Sequence, residues 1–173
     1  EAKNGKKLGP GALTSNMNET SIRNSLSNAF AEIPFALGIN NHMGSKLTEL
    51  YQPMAWTMNF LRERNLMFID SMTSGASQAE QVALDFGVPS LHRHIFLDNK
   101  LEHSYIRSQF NQLMRDAKRY QSVVAIAHPH PETITSLLKL LPLLKKNNIQ
   151  LVPISALLMN KVREDKQQLS ADD

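Results

Sequence analysis

The sequence predicts an α/β protein built on a parallel sheet covered by helices, and two observations carry that prediction. Short apolar runs alternate with longer segments of helical periodicity, the pattern of strand–helix–strand units. Three of the runs stop abruptly in polar residues. Ile33-Pro34-Phe35-Ala36-Leu37 leads into Gly38-Ile39-Asn40-Asn41-His42-Met43-Gly44-Ser45, Leu66-Met67-Phe68-Ile69 into Asp70-Ser71, and Val123-Val124-Ala125-Ile126-Ala127 into His128-Pro129-His130-Pro131. Parallel α/β folds place their chemistry at the carboxyl ends of strands, so the three polar tips are expected to gather at one site.

The elements follow in order. Residues 1–19 carry Gly5, Gly9, Pro10 and Gly11 with little periodicity, and read as a loop or arm. Asn18-Glu19-Thr20 ahead of Ile22, Leu26, Ala29 and Phe30 predicts an amphipathic helix. The run from Ile33 predicts a buried strand to about Ile39. Gln52-Pro53 opens a helix through Met54, Trp56, Met58, Phe60 and Leu61 that stops at Asn65. Met67 to Ile69 is the next strand. Ser77 is placed to cap a helix through Phe86, which Gly87 and Pro89 end.

His94 to Leu97 reads as a short strand ending in Asp98-Asn99. A long helix from Glu102 to Tyr120 follows, with Ile106, Phe110, Leu113, Met114 and Ala117 on one face. Val123 to Ala127 carries the clearest β-branched signal. Pro131-Glu132 opens a helix toward Lys146, proline first and acid next. A last strand is expected from Ile149 to Ile154, a last helix from Ala156 to Arg163, and a flexible polar tail over 164–173. A closed (β/α) barrel takes ~200 residues or more. Either the sheet is open, or part of a barrel lies outside this chain.

Composition bounds the function. The 173 residues suit a single domain, 42% hydrophobic and 20% charged, which is ordinary for a folded globular chain. No apolar run reaches the ~18 residues of a membrane span. The net charge of +3 is spread along the chain apart from Lys3, Lys6 and Lys7, a group read as a solvated terminus, and no nucleic-acid partner is expected. The absence of cysteine excludes disulfides, zinc ribbons and thiol catalysis. No Gly-x-Ser-x-Gly elbow and no glycine-rich phosphate loop occurs.

The remaining chemistry lies at the strand tips. Prolines on both sides of His130 hold its neighbours extended, so His128 and His130 point the same way, as two ligands or a ligand and an acid need. Imidazole is both a common metal ligand and the usual proton-transfer group near neutral pH. The plain alternative is a histidine bonded to a loop carbonyl. His42 has a similar alternative as a turn residue, while Asn40 and Asn41 offer donors for an acyl oxygen. Asp70 is placed to orient a histidine or bind metal, or simply to bond nearby backbone amides. Asp98 shares that ambiguity in a weaker context. His92, His94 and His103 read as edge or surface residues.

Taken together, Asn40-Asn41-His42-Met43-Gly44-Ser45, Phe68-Ile69-Asp70-Ser71, Phe96-Leu97-Asp98 and Ala127-His128-Pro129-His130-Pro131 resemble the divergent polysaccharide deacetylase family. That family is a remote branch of the NodB-type carbohydrate deacetylases, and the resemblance runs from about Gly9 to Leu158. It implies a parallel (β/α) barrel-like fold, incomplete in this chain, and metal-assisted hydrolysis of N-acetyl groups on an envelope polysaccharide. A divalent metal, usually zinc, polarises the acetyl carbonyl in that class. His128 matches the late-strand catalytic acid and Asp70 stands for the base, with His42 and His130 as metal donors. Asn40, Asn41 and Ser45 are the expected substrate contacts. The resemblance also implies a periplasmic or secreted protein, a carbohydrate polymer as partner, and first strands that precede Glu1. Without those strands the metal lacks its carboxylate and this chain is expected to be inactive by itself. The rival expectation is a non-catalytic glycan- or envelope-binding module on the same fold; a third, a small-molecule metallohydrolase, calls for a closed pocket.

Overall fold

The computed structural model describes residues 1–3, 5 and 7–169, with side chains up to Lys161. It bears out an α/β chain with parallel strands, arranged in two compact units, Glu1–His92 and Arg93–Asp173. No helix among the described residues is long and apolar enough to cross a membrane. Of the basic group at the start, Lys3 pairs with Glu49 at 2.5 Å, and Lys6 lies outside the described residues.

The first unit begins with an arm and α1 (Glu19–Glu32), whose start is set by Asn18: its side-chain oxygen accepts from Ser21 N at 2.9 Å. Three strands follow, β1 (Gly38–Asn40), β2 (Met67–Asp70) and β3 (Ser90–His92), all parallel in the order β1-β2-β3. Between them run α2 (Tyr51–Glu63) and α3 (Ala79–Asp85). The core joins Ile22 and Leu26 of α1 to Met58, Phe60 and Leu61 of α2 and to Phe68 of β2. α2 ends where Asn65 turns left-handed at φ 55, the stop expected of an asparagine.

One expectation fails in this unit. The run Ile33–Leu37 is not a buried strand. Phe35 is 91% exposed, and Ala36 N bonds Ile33 O at 3.1 Å in a turn. Pro34 has no N–H to give a ladder, so β1 starts only at Gly38. There the bare glycine has a reason: a Cβ would fall on the Met67 carbonyl, so β1 lies closer to β2 than a side chain permits. β3 is a strand the sequence reading lacks, because Ser-Leu-His is too short and polar to alternate visibly. Ser77 meets the start of α3 as expected: its oxygen accepts from Ala79 N at 3.3 Å, while its hydrogen goes to Asp70 Oδ2.

The second unit pairs β4 (Ile95–Phe96) with β5 (Ala125–Ile126) in parallel, joined by α4 (His103–Tyr120). Ile106 and Phe110 of α4 pack with Ile95, Leu97, Leu140 and Leu144. Gln121, at φ 66, ends α4. The helix expected from Pro131 to Lys146 is two helices, α5 (Pro131–Leu140) and α6 (Pro142–Lys146), because Pro142 cannot donate into the helical ladder. The strand expected at Ile149–Ile154 is absent among the described residues. Leu151 is 74% exposed, Pro153 lacks an N–H, and α7 (Ile154–Leu169) starts where the strand should close. Part of the expected tail thus lies in α7, and 170–173 lie outside the described residues.

Candidate functional site

Strand register puts polar tips together within each unit. In the first, β1 and β2 run parallel with Asn40 opposite Ile69, so Asn40-Asn41 and Asp70-Ser71 leave the sheet at the same end. Asn40 Nδ2 donates to Ser71 Oγ at 3.1 Å, and Asn41 Oδ1 accepts from Ser71 N at 2.7 Å. The two amides therefore clamp the start of the loop after β2. Ser71 N can only donate, which fixes the Asn41 amide with its oxygen toward Ser71.

Asp70 is buried, 1% exposed, and its carboxylate serves its own loop. Oδ1 accepts from Met72 N at 2.8 Å and Oδ2 from Ser77 Oγ at 2.7 Å. Met72 sits at φ 48, a left-handed conformation that a non-glycine residue holds only when its surroundings enforce it. Ser45 Oγ accepts from Lys3 N at 3.1 Å, tying the arm to the Asn-Asn-His turn. His42 is exposed on that turn.

The second unit holds the tighter constellation. Asp98 follows β4 and His128 follows β5, and pairing of Phe96 with Ile126 brings both to one strand end. Asp98 Oδ2 accepts from His128 N at 2.5 Å and from Thr133 Oγ1 at 2.9 Å. Asp98 Oδ1 lies 3.2 Å from His128 Nδ1. The Asp98 side chain has no exposed surface, while that of His128 is 33% exposed. A buried carboxylate thus grips the backbone and the ring of one histidine and leaves that ring at the surface. A carboxylate oxygen accepts, so Nδ1 carries the hydrogen and Nε2 becomes the basic end of the ring. The His128 ring lies 5.4 Å from Phe96 and 5.6 Å from His130, centroid to centroid. His130 is the N-cap residue of α5 without a side-chain cap bond, as Pro131 takes the first helical position. His103, read as a surface residue, has its Nδ1 2.7 Å from Ser136 Oγ on α5.

The structure reorders the acids. Sequence reasoning ranks Asp98 below Asp70 and does not single out Thr133 at all. The signal available for Asp98 was its place directly after an apolar strand tip, the same signal that marks Asp70. Thr133 gave none, since a hydroxyl in the first turn of a helix commonly serves the helix itself.

The donors present do not complete the implied zinc site. Among the described residues no group of three or more His, Cys, Asp or Glu side chains is placed to hold a metal ion. In the second unit both Asp98 oxygens and His128 Nδ1 are already engaged with one another and with Thr133.

Parallel strands, covering helices and acid–imidazole chemistry at the strand tips define an α/β protein of the deacetylase type in fold. The chain belongs to the divergent polysaccharide deacetylase family, whose sequence pattern it matches over residues 1–158. It is 40% identical over 146 residues to the uncharacterized protein YibQ of Escherichia coli K12, covering 84% of this chain and 46% of that protein. It is 38% identical over 158 residues to an uncharacterized protein of Haemophilus influenzae, covering 90% and 55%. The chain thus spans about half the length of these curated relatives. Among solved structures, an uncharacterized protein from Agrobacterium tumefaciens C58 superposes with a TM-score of 0.85 at 22% identity, covering 90% of this chain and 63% of that one. A likeness at that identity speaks for the fold alone.

Proposed function

We propose that this chain supplies the proton-transferring part of a carbohydrate deacetylase that removes N-acetyl groups from an envelope glycan, in the periplasm or outside the cell. The observation that supports this reading is the Asp98–His128 pair, a partly exposed imidazole held at Nδ1 by a buried carboxylate. Amide hydrolysis needs such a group twice. Water adds to the acetyl carbon and forms a C–O bond while Nε2 of His128 takes its proton. The same proton then passes to the sugar nitrogen as the C–N bond breaks; acetic acid and a free amine depart, and the acid gives its remaining proton to solvent. Between those transfers Asp98 stabilises the imidazolium and holds the ring in place, as the acid of a catalytic triad does.

Asn40, Asn41 and Ser45 are the proposed contacts to the glycan, and Asp70, occupied with Met72 and Ser77, receives no proton in this scheme. Zinc, the metal expected of this class, would polarise the acetyl carbonyl; no grouped donor set for it stands among the described residues, and no step here runs through it.

The test is acetate release from a pentamer of N-acetylglucosamine by the wild type and by His128→Gln. Against the expectation that this chain is inactive by itself, the reading predicts measurable release by the wild type and a loss of about 100-fold or more in the variant, the size of a general acid–base contribution. Equal rates in the two proteins contradict it. Pentamer binding without acetate from the wild type supports the other reading, a glycan-binding module on the same fold.

A further inference from the structure

Thr133 stands in the first turn of α5, three residues after His130, and is 1% exposed. A threonine so placed can bond its own helix, yet its Oγ1 donates across to Asp98 Oδ2 at 2.9 Å. That oxygen also accepts the backbone N–H of His128 at 2.5 Å. One carboxylate oxygen therefore joins the segment after β5, at His128, to the first turn of α5, and the other oxygen faces the imidazole.

Apart from Thr133, both bonds to the Asp98 carboxylate come from His128, the residue whose ring it is to position. The Thr133 hydroxyl supplies an independent, directional anchor from a different element. We propose that Thr133 is a positioning residue for the proposed proton transfer: its hydroxyl fixes the plane of Asp98, and Asp98 in turn fixes the His128 ring. The chain of contacts is Thr133 Oγ1 to Asp98 Oδ2, then Asp98 Oδ1 to His128 Nδ1, and Thr133 itself touches no reacting atom. Pro131 sets the register of this relay. It fixes the start of α5, so position 133 is carried to the carboxylate by the rigid first turn.

The inference rests on the deacetylase reading for its purpose, but its geometric content is testable without turnover. Thr133→Val keeps the shape of the buried side chain and removes the hydroxyl; Thr133→Ser keeps the hydroxyl and removes the methyl. The Nδ1–H proton of His128 is followed by NMR in the wild type and both variants, with thermal unfolding recorded alongside. The wild type and Thr133→Ser are expected to show this proton as a sharp, strongly downfield signal, which Thr133→Val broadens or loses. If the wild type releases acetate, kcat of Thr133→Val falls about tenfold with KM unchanged, and Thr133→Ser restores most of it. An unchanged Nδ1–H signal in Thr133→Val overturns the proposal, even where that variant is less stable, because the hydroxyl then matters only to packing. If Thr133→Val fails to fold, the serine variant decides: a signal lost with the hydroxyl intact also overturns it. Failure of acetate release in the wild type, with the signal behaving as expected, counts against the deacetylase reading and leaves the relay standing.

Discussion

Asp70 and Asp98 show how far a residue type can be read before its partners are known. Both follow an apolar run and both are buried, and the sequence separates them only by the weaker context of Asp98. Their donors do separate them. Asp70 is spent on Met72 N and Ser77 Oγ within its own loop, while Asp98 reaches a histidine that lies 30 positions away. His128 is legible in sequence because it stands in the His-Pro-His-Pro string at a strand tip; the weight of Asp98 is not, because a partner across a parallel pair leaves no local trace. The loop role of Asp70 carries a prediction. Asp70→Ala leaves the Met72 N–H and the Ser77 hydroxyl without their acceptor, with Met72 held in a left-handed conformation. Denaturant unfolding is expected to show a loss of about 1–3 kcal/mol. An unaltered midpoint means that the carboxylate does not hold this loop.

Helices were more legible than strands, and the reason is length. α1, α2 and α4 declare themselves through repeated apolar spacing and end signals such as Asn18 and Asn65. Two- and three-residue strands offer no period to count: β3 escaped notice, and Ile33–Leu37 and Ile149–Ile154 mimicked strands by apolar content alone, each with a proline inside. One contact between elements makes a pH prediction. Arg23 on α1 bonds Glu63 at the end of α2, and that hydrogen bond is the main cause holding the Glu63 carboxyl below its ordinary value. A carboxyl whose pKa is lowered by folding adds stability above its unfolded value, and this is lost as pH falls through the folded value. The melting temperature of Glu63→Gln should therefore lie below that of the wild type at pH 7, with the gap closing toward pH 3. A gap that persists unchanged at pH 3 would show that the pair is not its source.

At the scale of the whole molecule, the fold class and the family were legible because strand tips carry their polar strings in fixed order. The division into two compact units was not, since each core draws on residues scattered through its half of the chain. The central claim is that Asp98 prepares His128 for proton transfer, and Asp98→Asn tests it most directly. The amide keeps the size of the side chain but presents a donor where the ring needs an acceptor, which turns the imidazole to the wrong tautomer. Acetate release from the N-acetylglucosamine pentamer is the measurement. The account predicts that Asp98→Asn, folded as the wild type by circular dichroism, releases acetate about 100-fold more slowly or worse. A folded Asp98→Asn that keeps the wild-type rate contradicts it.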